Sequence, residues 1–149
     1  MSNEYNLKNN YTMYNDEPEI INPVVLEKAL KPFNWGAFGF GWLWGLGNGS
    51  LHKVWWIIVA DILLLVSKNI SHVKIALFFM AFFAFVKLVL SIYFGFNGNK
   101  WAFHNRAWWS MTDFEDTQYR WAVATGICAI LMLISTLFRL LILSSIHIH

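Results

Sequence analysis

From Ile75 to Val86 the chain carries no polar side chain. A backbone surrounded by lipid must satisfy its own hydrogen bonds, so a stretch like this one has to be a helix. It lies inside a longer apolar run, 75–96, close to the 20 or so residues that cross a hydrocarbon layer. Two further apolar runs flank it, at 51–67 and 121–143. The first is short for a span, and Trp55 and Trp56 mark its entry. Charged residues make up only 13% of the chain, against roughly 25% in soluble domains. Too few charges are present to cover a soluble surface of this size. The fold class expected is therefore an all-α membrane protein with about three transmembrane helices, in one membrane domain over 23–146.

The segment before the spans is built differently. Residues 1–22 are polar, rich in Asn and Tyr, and without an apolar period, which predicts a mobile arm. No basic start followed by an apolar core is present, so an internal helix is expected to serve as an uncleaved signal. Over 23–31 an amphipathic helix is predicted: Asn22 can cap it, Pro23 suits its first position and Pro32 ends it. Residues 33–47 then combine Phe33, Trp35, Phe38, Phe40, Trp42 and Trp44 with closely spaced glycines. The aromatics recur at helical spacing, but each glycine costs about 1 kcal/mol in a helix relative to alanine. A helix or broken helix is expected here, lying at the membrane surface or dipping into it, because tryptophan favours the headgroup layer. A turn at Gly47–Gly49 ends it.

Orientation follows from Lys and Arg near the span ends. Lys28, Lys31 and Lys53 precede the first span, and Lys100, Arg106 and Arg120 lie in 97–120. The turn between the first two spans offers only Lys68 and Lys74. This asymmetry predicts a multi-pass protein of the cytoplasmic membrane, with the N-terminus and the 97–120 loop inside and the C-terminus outside. The alternative makes the first apolar run re-entrant, leaving two spans and the C-terminus inside.

Three charges fall within apolar runs: Asp61, Lys87 and Arg139. Asp61 and Lys87 come at similar distances from the ends of their spans, so antiparallel neighbours would let them pair. A structural ion pair is the simpler role, and a proton or ion relay is the functional one. Arg139 lies near a span end and can snorkel. In the 97–120 loop, Thr112 and Glu115 fit a capping box for a short amphipathic helix presenting Phe114, Gln118 and Trp121 on one face. His104 with Asp113 or Glu115 is the one combination there that resembles acid–base machinery, and it is weak without geometry. His147 and His149 supply too few ligands for zinc. The lone Cys128 sits in an apolar run and reads as a packing residue. No catalytic set, cofactor or metal is expected.

The segments Pro32–Ser50, Gly95–Trp108 and Asp113–Ala122 together resemble a family of small bacterial integral membrane proteins of unknown function. Its members combine an FNWGAF…WLWG-like aromatic–glycine motif with a later GxxGN motif. Phe33, Trp35, Ala37, Phe38, Trp44, Gly98 and Asn99 carry the resemblance. It implies membrane residence and brings no activity. Gly98 and Asn99 suit a tight exit from the second span, with Trp101, Trp108 and Trp109 returning to the interface. The two aromatic belts are expected to pack into one cytoplasmic platform facing lipid headgroups or a protein partner. The resulting expectation is an interaction or accessory protein, a scaffold or a protector, not an enzyme and not a nucleic-acid binder. The alternatives are a transporter component using Asp61 and Lys87, or a membrane enzyme using the His104 loop.

Overall fold

The computed structural model describes residues 23–146; the expected arm over 1–22 and the terminal histidines lie outside the described residues. Six helices follow in order: α1 (Pro23–Leu30), α2 (Trp35–Phe40), α3 (Trp42–Gly47), α4 (Leu51–Ser67), α5 (Val73–Asn105) and α6 (Met111–Ile146). Among the described residues there is no strand.

Helix α1 stops before Pro32, and Lys31 pairs with Glu27 one turn back at 2.8 Å. The hydrogen bond and charge of Lys31 hold the exposed Glu27 carboxyl below its ordinary pKa. Asn34 then turns the chain. Its backbone N–H donates to Gly95 O at 2.8 Å, and its side-chain oxygen caps α2 by accepting from Ala37 N. The aromatic stretch is a broken helix, and the break falls at Gly41, whose φ of 49° suits glycine. A Cβ there would also meet the Ile57 side chain. α2 packs on α5 and α6, while α3 packs on α4.

The buried side chains gather at one end. Ala37, Trp44, Val54, Ile57, Phe94, Ala102, Phe103, Trp108 and Phe114 form a single core. This end is a head built from α1, α2, α3, the first turns of α4, the last turns of α5 and the first turns of α6. The rest of α4, α5 and α6 extends from it as apolar legs. α4 and α5, joined by the short turn 68–72, pack along each other.

Two helices, α5 and α6, are long and apolar enough to cross a membrane. None of the most apolar window of α6 is buried inside the fold, and only 11% of that of α5. A soluble core helix would be buried, whereas these present leucine, isoleucine and phenylalanine outward (Leu133, Phe138 and Phe82 are each at least half exposed). α4 has 17 residues, about 25 Å at 1.5 Å per residue, and falls just short of a full span.

The helix boundaries differ from the sequence reading in two places. The segment 97–105 is not a loop: α5 continues through Gly98 and Asn99 to Asn105. Glycine here serves close approach, not a turn. A methyl group on Gly98 would lie 2.7 Å from the Ala37 Cβ and 3.0 Å from the Asn34 Cβ. The expected short loop helix and the third span are likewise one helix, α6, of 36 residues. Ser110 starts it by accepting from Asp113 N at 3.1 Å, in the role expected of Thr112. The connection between α5 and α6 shrinks to Arg106–Ser110.

Candidate functional site

The centre of the head is a chain of side-chain amides. Asn34 Nδ2 donates to Asn99 Oδ1 at 2.6 Å and to Gln118 Oε1 at 2.9 Å. Gln118 Oε1 also accepts from the Trp44 indole at 3.0 Å, and Gln118 Nε2 donates to Asn48 Oδ1 at 2.8 Å. Asn99 Nδ2 reaches Pro32 O at 2.8 Å, and Asn48 Nδ2 closes on Trp44 O at 2.9 Å. Four segments thus meet through neutral donors and acceptors: the turn before α2, the α3 end, α5 and α6. Asn34, Asn48 and Asn99 are buried, and every bond of this kind is stronger away from water. A second set extends the seam. Asn105 Nδ2 donates to Ser50 Oγ, Arg106 donates to Gly47 O, and its guanidinium lies 4.5 Å over the Trp108 ring.

Beside the amides opens a cleft of about 510 Å³. Asn34, Asn99 and Gln118 line it, together with apolar side chains of α1, α2 and α6. Lys28, Glu115 and Tyr119 are its exposed polar members.

The aromatic residues singled out in the sequence divide into two groups. Trp44 is fully buried, with Trp108 close behind. Phe33, Trp35, Phe38 and Phe96 form edge-on and tilted ring contacts 4.9 to 5.9 Å apart. Trp101 stacks edgewise on Phe94 and Tyr93. Trp35, Trp42 and Trp109 remain exposed.

Asp61 and Lys87 meet between α4 and α5, with Nζ to Oδ1 at 2.5 Å. Both side chains keep about a third or more of their surface exposed. His104 is exposed and rests edgewise on Phe103; among the described residues no hydrogen bond or ion pair joins it to Asp113 or Glu115. The Asp113 carboxylate instead accepts from Trp109 N, and its backbone N–H donates to Ser110 Oγ at the start of α6. Arg139 lies on the bare part of α6.

Sequence reasoning singled out Asn99 for a turn and Gln118 for an amphipathic face, and did not single out Asn34 and Asn48. The signal available was their chemistry: amides set among tryptophans and glycines need partners once buried. Comparison with family models, with curated proteins and with solved structures finds no match for this chain.

Proposed function

We propose that the chain is a small multi-pass protein of the bacterial cytoplasmic membrane, of the family its FNWGAF…WLWG and GxxGN segments resemble, and that it works by docking, not catalysis. The observation that carries this reading is the division of labour in the head. Its amides hold the segments to one another, while Trp35, Trp42 and Trp109 stay at the surface. A rigid frame with large exposed rings suits a lipid surface and a protein partner, since aromatic side chains dominate interface energetics.

The head carries Lys28, Lys31, Lys53, Lys100, Arg106 and Arg120, and the α4–α5 turn carries Lys68 and Lys74. The positive-inside bias supports a cytoplasmic head. α4 packs along α5 and pairs with it through Asp61 and Lys87, which supports a hairpin that crosses together, with α6 as a third crossing. The test is site-specific photocrosslinking in cells at Trp109 and at Leu133. A discrete protein adduct at Trp109 that W35A/W42A abolishes supports the docking head. Adducts confined to Leu133 would transfer the interaction to the membrane leg.

A second reading rests on the direct Asp61–Lys87 contact: an ion or proton relay through α4 and α5. D61N/K87M in proteoliposomes decides it. Loss of an ion flux with folding intact supports the relay, and an absence of flux in the parent protein removes it.

A further inference from the structure

We infer that the cleft between α1, α2 and α6 binds one phospholipid whose headgroup joins a phosphate to a primary ammonium, as in phosphatidylethanolamine. The inference rests on the membrane reading above and names the lipid that the head selects.

The cleft has the size of a small-molecule site, and its lining combines buried amides, apolar side chains and exposed charges. Asn34 and Asn99, both in its lining, are buried. Asn99 spends one amide hydrogen on Pro32 O, and Gln118 spends one on Asn48 Oδ1. Each amide nitrogen carries two hydrogens, and among the described residues the second on each has no protein acceptor. These are donors for an ester carbonyl or a phosphate oxygen. The walls are apolar, with Val25, Ala29, Phe33 and Ala122 suited to the start of an acyl chain.

The rim carries one charge of each sign, Lys28 and Glu115. Neither has an ion-pair partner among the described residues, and they do not pair with each other. Lys31, in contrast, is engaged by Glu27. An uncommitted cation and anion on one cleft complement a zwitterion: Lys28 meets the phosphate, and Glu115 accepts hydrogen bonds from the ammonium. A quaternary choline has no N–H for Glu115, and a glycerol headgroup has no positive charge for it. The cleft adjoins Trp35 at the expected headgroup level.

The test uses the full-length protein in detergent with equimolar dioleoyl phosphatidylethanolamine, phosphatidylcholine and phosphatidylglycerol, with retained lipid counted by native mass spectrometry. Phosphatidylethanolamine should be retained over both others, on the order of tenfold for one charge-assisted hydrogen bond. Glu115→Gln should erase the preference over phosphatidylcholine. Lys28→Met should lower retention of all three lipids. Both residues are exposed, and an unchanged tryptophan emission spectrum reports an intact head. Equal retention of the three lipids by the parent protein overturns the inference, as does a preference that survives Glu115→Gln. Soluble glycerophosphoethanolamine should not displace the lipid; if it does so at equal concentration, the site takes a free headgroup and the lipid assignment fails. Alkaline carbonate extraction separates the two levels: release from membranes defeats the membrane reading itself, and retention with a flat lipid ranking defeats only the lipid site.

Discussion

The indole Nε1 of Trp44 donates to Oε1 of Gln118 at 3.0 Å, joining residues 74 positions apart in the chain. The same oxygen accepts from Asn34, and the amide nitrogen of Gln118 serves Asn48. Gln118→Met keeps the side chain's length and removes all three bonds. Each buried group left without a partner costs about 1–3 kcal/mol, so the head should lose stability well beyond one hydrogen bond. Thermal unfolding in detergent, followed by tryptophan fluorescence, should show a Tm several degrees lower. An unchanged Tm would mean that the amide chain does not hold the head together.

The glycines of α5 and α6 make a contrasting pair. Gly98 faces the short, inflexible Ala37 and Asn34 Cβ atoms, so Gly98→Ala overpacks the α2–α5 contact and should cost about 1–3 kcal/mol. Gly126 has nothing within 4 Å of where a Cβ would stand. Gly126→Ala should be neutral or stabilising by up to about 1 kcal/mol, because alanine is the better helix former. Tm values of the two variants against the parent check both signs.

The Asp61–Lys87 pair should show non-additive behaviour. Removing one partner strands the other charge on an apolar helix, and removing both strands nothing. Breaking a buried pair one-sidedly costs about 3–5 kcal/mol, and partial exposure of both side chains places this pair below that range. D61N and K87M should each be less stable than D61N/K87M, in chemical unfolding from the same detergent. A double variant weaker than both singles would show that each residue stabilises the hairpin independently of the other, and would contradict the stranded-charge account.

The legible and illegible parts of this fold separate by the range of the interactions involved. The α1 helix is local: a proline at each boundary and apolar residues at helical spacing state it within ten residues. The apolar character of α5 and α6 is also local, and the Asp61–Lys87 contact follows from counting residues along two neighbouring helices. The helix lengths were not legible, because Gly95, Asn97, Gly98 and Asn99 carry turn chemistry and yet are helical. What overrides their propensity is tertiary: Gly95 and Gly98 let Phe33, Asn34 and Ala37 approach α5 closely, and Asn99 bonds to Asn34 and Pro32. The amide chain was hidden for the same reason. Its members are separated by up to 84 positions, and nothing within a short window tells a buried, partnered amide from one in a solvated loop.

The central claim is that the head lies on the cytoplasmic face and that α4, α5 and α6 leave it to cross the bilayer. Cysteine accessibility in intact cells tests it most directly. Single cysteines at Ser2, Ser71, Ser110 and Ser145, in a Cys128→Ser background, are exposed to a membrane-impermeant maleimide. The account predicts labelling from outside at positions 71 and 145, and labelling at 2 and 110 only after permeabilisation. Positions 71 and 110 reacting from the same side would mean that α5 does not cross, and would contradict it.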